Sequence, residues 1–205
     1  MTDLGKTASQ SPDLTRRRFV SSAASAAFAF TIVPRHVLGG PGYIAPSEQL
    51  QVAGIGAGGM GGGDIATVSN LGANFVALCD VDEARAAGTF NAHPKARRYK
   101  DFRELIDKEA NNIDAVTVGT PDHIHAVASM AAIKAGKHVY CQKPLTHTLR
   151  ECRELTQAAK AAKVMTSMGN QGHATEGARL TNEWIQAGVI GDVREVHVWS
   201  DRAGK

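Results

Sequence analysis

Short apolar runs alternate with amphipathic stretches between residues 50 and 170, and this alternation predicts a series of βαβ units. Leu50 to Ile55, Asn74 to Cys79, Ala115 to Val118, His138 to Cys141 and Val164 to Met168 read as strands, with a further short element around Tyr99. Helical spacing falls between them. Met60 opens a helix running through Ile65 and Val68, Asp82 to Ala92 forms a second, and Phe102, Leu105 and Ile106 share the face of a third. An alanine-rich helix covers Ile124 to Ala135 and stops at Gly136, a residue suited to a helix C-terminus, and another covers Leu149 to Ala162. Ala115-Val116-Thr117-Val118 is apolar on both faces, as in a sheet covered from both sides. The expected fold is therefore α/β, a Rossmann-type doubly wound parallel sheet with right-handed crossovers. No internal repeat or low-complexity tract interrupts it.

The pattern changes past Asn170. A helix carrying Leu180, Trp184 and Ile185 precedes Val193 to Trp199, whose alternation predicts a strand with one solvated face. This stretch is expected to open a second, α+β domain, giving residues 1–45 as leader and linker, 46–170 as the dinucleotide-binding domain, and 171–205 as the start of a truncated substrate domain.

The chemistry concentrates where the first strand ends. Val52-Ala53-Gly54-Ile55-Gly56-Ala57-Gly58-Gly59-Met60-Gly61 fits G-x-G-x-x-G in two registers, Gly54, Gly56, Gly59 or Gly56, Gly58, Gly61. The second is preferred because it leaves the first strand whole and lets Met60 open the helix. Glycines in this pattern permit a sharp turn, close backbone approach to a pyrophosphate and tight packing of helix on strand, while the helix N-terminus offers free N–H groups. Asp80 follows the second strand at the spacing of the carboxylate that accepts from the adenine ribose. Together they point to a bound dinucleotide. NAD is favoured over NADP, since Asp80 would repel a 2′-phosphate and Val81 offers no countercharge, although Arg85 lies one helical turn later.

Composition narrows the class further. The 205 residues carry a net charge of +3, with basic residues dispersed after the N-terminus, so no nucleic-acid-binding face is expected. The run Lys95-Ala96-Arg97-Arg98 reads as a solvated helix end. Cys79, Cys141 and Cys152 have no metal-type spacing and an odd number cannot all pair within the chain, so all three read as packing residues. Thr15-Arg16-Arg17-Arg18-Phe19-Val20, followed by an apolar run to Val33, matches a twin-arginine export signal. The run is shorter than the roughly 20 residues a membrane span needs, and no A-x-A site stands at its end. The protein is thus expected outside the cytoplasm, periplasmic or membrane-associated through an uncleaved signal, after meeting the twin-arginine machinery. Gly39-Gly40-Pro41-Gly42 reads as the linker that follows.

Three motifs, in order and at strand ends, resemble those of the Gfo/Idh/MocA oxidoreductases. They are Gly56-Ala57-Gly58-Gly59-Met60-Gly61, Thr120-Pro121-Asp122-His123-Ile124-His125, which is similar to the family's T-P-x-x-x-H turn, and Gln142-Lys143-Pro144, similar to its E-K-P motif. The resemblance implies nicotinamide-dependent hydride transfer at a hydroxyl-bearing carbon of a sugar or polyol. It makes Lys143 the active-site lysine, lets Thr120 and Pro121 line the nicotinamide side, and gives His125 a part in positioning the cofactor. It also implies homo-oligomers through the C-terminal domain. Asn170 and Gln171, after the last strand, could reach the sugar or the nicotinamide amide or cap the strand. His123 and His125 lack a third ligand nearby, so no metal site is expected. Gln142 stands where the family carries glutamate, which puts any role for a carboxylate there in doubt. The family's proton-transfer residues lie beyond residue 205, and no general base is assigned. An NAD-dependent glycosidase using transient oxidation and elimination is the alternative enzyme, and a non-catalytic nucleotide-binding protein the third reading.

Overall fold

The computed structural model describes residues 44–199. The twin-arginine motif, its apolar run and the Gly39–Gly42 linker lie outside the described residues. The chain divides into residues 1–48 and residues 49–205, and the fold below belongs to the second unit.

Six strands, β1 (Gln51–Ile55), β2 (Asn74–Cys79), β3 (Arg97–Tyr99), β4 (Ala115–Val118), β5 (His138–Gln142) and β6 (Thr166–Gly169), form one sheet in the order β3-β2-β1-β4-β5-β6. Every pairing is parallel. Strand order reverses between β1 and β4, where a doubly wound sheet opens a crevice at its carboxyl edge. The helices are α1 (Gly59–Asn70), α2 (Glu83–Ala92), α3 (Phe102–Glu109), α4 (His125–Lys134), α5 (Leu149–Ala162), α6 (Gln171–Ala174) and α7 (Glu176–Gln186).

The two-faced burial of the strands follows from this layering. Val52, Phe75 and Leu78 pack with Ile65 of α1 and Ala86 and Phe90 of α2 on one face. Ala53, Ile55, Val116, Val118 and Cys141 pack with Leu105, Ala128, Ile133 and Leu155 on the other. The central strands β1, β2, β4 and β5 therefore carry apolar residues at successive positions, whereas the edge strands β3 and β6 are mostly exposed. Helix ends are set locally: Asp82 and Asp101 accept from Arg85 and Arg103 amides, and Thr148 and Glu151 form a reciprocal capping box at the start of α5.

Several elements differ from the sequence pattern: α1 opens at Gly59 and not at Met60, and Arg97 and Arg98, expected at a helix end, form β3 with Tyr99. Val164 N–H donates back to the Ala159 carbonyl beyond Lys163, whose φ is 56°, so Val164 closes α5 and β6 begins at Thr166. The turn Asp122–Ile124 is 3₁₀, and α4 proper starts at His125. The strand expected at Val193 to Trp199 is not formed; these residues are exposed and irregular, since alternation marks two faces but a strand exists only with a ladder partner, and none stands beside them among the described residues.

Candidate functional site

The carboxyl ends of β1, β2 and β4 enclose a cavity of about 670 Å³, lined by Gly56, Gly58, Met60, Asp80, Thr120 and Pro121 together with Val81, Arg85, Phe102 and Gly119. Backbone proximity creates it. At Gly56 the chain turns with φ of 85°, and a side chain there would collide with the Gly119 carbonyl carbon at 2.6 Å. Gly61 packs closer still: a Cβ would stand 2.0 Å from the Gly56 carbonyl oxygen. Gly58 is the N-cap of α1, with no side chain capping the helix and no acidic residue in its first turn. The free N–H groups and positive end of the dipole thus remain available to an anion.

Asp80 fixes this turn. One carboxylate oxygen accepts from the Ala57 and Gly58 amides at 2.9 and 3.0 Å, and the other from the Asp82 amide at 2.9 Å. The Arg85 side chain lies against Gly58 and Gly59, within 3.0 Å of the space a Cβ on Gly59 would fill. Thr89 donates to the Ala57 carbonyl at 2.6 Å, tying α2 to the same turn. The Thr120 hydroxyl oxygen is buried without a protein partner, in the wall of the cavity. A glycine cradle, uncapped amides, a carboxylate at the neighbouring strand end and an orphaned hydroxyl fit a dinucleotide.

His123 and Ile124 also line that cavity, whereas Gln142, Lys143, Pro144, Asn170 and His125 lie along the same edge outside its lining. Gln142 ends β5 and is buried, whereas Lys143 and Pro144 are exposed. Asn170, exposed, follows β6. His125 is 1% exposed and spans two turns, with Nδ1 2.6 Å from the Pro144 carbonyl and Nε2 2.8 Å from the Thr120 carbonyl. Both ring nitrogens face backbone carbonyls, to one of which a given neutral tautomer donates, so any influence of His125 on a ligand passes through the Thr120 and Pro144 turns. His123 is exposed.

Two buried thiols flank the site. Burial, then the Asp80 charge, pushes the Cys79 thiol up to about 12, and burial pushes Cys141 up to about 11, so neither supplies a thiolate near neutrality. Sequence reasoning missed Gly119, Phe102 and Asp64. Gly119 had a signal, a glycine directly after an apolar strand; Phe102 and Asp64 had none, because only the packing of α3 on β2 and of α1 beside β5 brings them to this edge.

A doubly wound sheet with a glycine turn and a facing acidic strand end defines a dinucleotide-binding domain. Residues 50–170 match the oxidoreductase family GFO_IDH_MocA, NAD-binding Rossmann fold, and the chain belongs to that family. It is 35% identical over 148 residues to an inositol 2-dehydrogenase of Klebsiella pneumoniae, covering 70% of this chain and 43% of that protein. With a 1,5-anhydro-D-fructose reductase of Ensifer adhaerens it shares 32% identity over 129 residues, 62% of this chain and 38% of the relative. The crystal structure of myo-inositol 2-dehydrogenase from Lactobacillus plantarum superposes with a TM-score of 0.64 at 26% identity, over 71% of this chain and 43% of that one. The chain spans about two fifths of the length of these relatives.

Proposed function

We propose that the protein is an NAD-dependent oxidoreductase transferring hydride at a hydroxyl-bearing carbon of a sugar or polyol. The observation that carries this reading is the placement of the glycine turn, the Thr120-Pro121 turn and Lys143 at the carboxyl ends of three adjacent strands, β1, β4 and β5. Relatives named as dehydrogenases or reductases of inositol and anhydrofructose support the substrate class.

The nicotinamide, when bound, supplies the hydride acceptor. The chain's own groups do the rest. Amides at the start of α1 hold the pyrophosphate, with Gly56, Gly58, Gly59, Met60 and Gly61 leaving it room. Asp80 accepts from the ribose: three backbone donors occupy its oxygens, leaving about one lone-pair site of roughly four for a hydroxyl. A 2′-phosphate in that place would meet the Asp80 carboxylate, whose own partners are neutral amides, which favours NAD; Arg85 and Lys100 in the same lining act in the opposite direction. Lys143 donates a hydrogen bond to the reacting oxygen and stabilises the negative charge that develops there as the hydroxyl proton departs, a charge that collapses to the carbonyl when the hydride passes to the nicotinamide. Thr120 offers its unpaired hydroxyl on the nicotinamide side.

Isothermal titration tests the cofactor assignment. Asp80→Ala weakens NAD binding tenfold or more, about the 1.5–3 kcal/mol of a hydrogen bond to a charged group, and narrows the preference over NADP. Asp80→Asn keeps acceptors for the glycine-turn amides and separates loss of the turn from loss of the charge. Equal affinities for NAD and NADP in the unaltered chain remove Asp80 from this role. The export motif extends the proposal: the protein folds around its nucleotide, crosses through the twin-arginine route and keeps the cofactor through turnover. Nucleotide released on denaturing the exported protein supports that course, and protein that leaves the cell empty yet requires added NAD rules it out.

A further inference from the structure

The glutamine that replaces the family's glutamate at position 142 faces a carboxylate from another element. Gln142, 4% exposed, donates from Nε2 to Asp64 on α1 at 2.8 Å, and its Oε1 accepts from the Lys143 backbone N–H at 3.3 Å. The second oxygen of Asp64 accepts from Gln171 Nε2 at 3.3 Å, and the same Gln171 nitrogen stands 3.5 Å from the Tyr140 hydroxyl. Burial and the Asp64 charge both push the Tyr140 phenol up. Gly169 makes room for the cluster, since a Cβ there would lie 2.9 Å from Gln142 Nε2.

An ionised carboxylate only accepts, so Asp64 fixes which way the buried Gln142 amide points, and that leaves Oε1 toward Lys143. Glutamate at 142 would place two carboxylates in hydrogen-bond contact, and both could not ionise together. We propose that Asp64 is the positioning residue for Lys143: the carboxylate of this cluster stands on the cofactor helix and not at the strand end, and Gln142 transmits its hold to the lysine through the Lys143 backbone N–H. The dyad links the helix that receives the pyrophosphate to the strand end that carries the reactive ammonium. This inference deepens the dehydrogenase reading and rests on it for the catalytic meaning of Lys143.

The test is a charge exchange in the full-length protein, with lysines reductively ¹³C-methylated and the Lys143 resonance identified by its loss in Lys143→Arg. Gln142→Glu sets two carboxylates face to face and is expected to move the Lys143 resonance and lower kcat about tenfold, the scale of a small misplacement at the reacting centre. Adding Asp64→Asn to it restores the donor–acceptor pair with its direction reversed, and both readouts return. Asp64→Asn alone, nearly isosteric, lowers the pH at which Tyr140 absorbance reports phenolate, while NADH affinity measured by fluorescence stays within twofold. If the resonance and kcat ignore Gln142→Glu, or the double variant is as impaired as the single one, the inference is overturned, and a large kcat loss in Lys143→Ala then leaves the dehydrogenase reading standing. If the resonance moves as expected but Lys143→Ala turns over normally, the anchoring is upheld and Lys143 loses its catalytic role; if the resonance moves but no sugar or polyol lets the unaltered protein reduce NAD, the anchoring is upheld and the dehydrogenase reading fails.

Discussion

Glu109, where α3 ends, and Asp80, at the carboxyl edge, are both well-bonded carboxylates, yet they are satisfied in opposite ways. Glu109 is 2% exposed and takes a paired contact from Arg97 Nε and Nη2, one from the Tyr99 hydroxyl at 2.5 Å and one from Asn112 at 3.0 Å. Four donors fill its lone pairs, and one of the partners is a cation. Asp80 has only neutral backbone partners, keeps a free acceptor site and lines a cavity. A sealed carboxylate secures the fold; an open one is available to a ligand.

Breaking the sealed cluster has the largest expected effect. Glu109→Ala strands Tyr99 and Asn112 and removes the partner of Arg97. Because Arg97 is half-exposed, the cost falls at the low end of the 3–5 kcal/mol range for a broken buried pair, about 3 kcal/mol in urea unfolding. Nucleotide affinity of the folded variant stays unchanged, and a matching loss of affinity would dissolve the distinction drawn here. Acid probes the sealed cluster as well. Burial raises the Glu109 pKa, but the hydrogen bonds from Arg97, Tyr99 and Asn112 outweigh it, and the net value lies below the ordinary 4.5. The unfolded chain therefore binds the proton first as pH falls. The stabilisation is full above the ordinary carboxylate value and disappears as pH drops through the lowered folded one. Glu109→Gln should flatten that part of the stability–pH curve.

Next in size is His125, which belongs to the open edge but is itself buried. His125→Ala leaves the Thr120 and Pro144 carbonyls without their ring partners, a loss of about 2 kcal/mol in stability. Unlike Glu109→Ala, it is also expected to weaken NAD binding several-fold, because the Thr120 turn it holds lines the cofactor crevice. Calorimetry on the folded variant decides the matter: unchanged affinity would place His125 with Glu109, among residues that serve the fold alone.

These contrasts show what the sequence makes legible. Glycines and an acidic residue at fixed spacing are local consequences of one turn, so Gly56, Gly58, Gly61 and Asp80 can be read along the chain. Apolar runs reveal the central strands because those are covered on both faces; the exposed edge strand Arg97–Tyr99 carries no such run. The contacts of Glu109 with Arg97 and of Asp64 with Gln142 are not readable, since each joins elements through packing angles and strand register that no local pattern encodes. Val193 to Trp199 shows the same limit from the other side: alternation gave the faces of a strand, and only a neighbouring backbone could make it one.

The smallest effect tests where the demands of the open edge stop. Helix α1 carries Gly61, Gly62 and Gly63 in succession, and each glycine inside a helix costs about 0.5–1 kcal/mol relative to alanine. Gly61 cannot change without displacing the Gly56 backbone, and a Cβ on Gly62 would meet Thr89 Oγ1 at 2.7 Å and the Ala57 carbonyl oxygen at 2.9 Å. At Gly63 the same atom meets nothing within 4 Å, and φ there is not in the left-handed region. One helix thus passes within two residues from backbone contact to open solvent. Gly63→Ala should stabilise the protein by about 0.5–1 kcal/mol in urea unfolding, with NAD affinity unchanged. A loss of stability, or of affinity, would mean that close approach at the cofactor edge extends beyond Gly62.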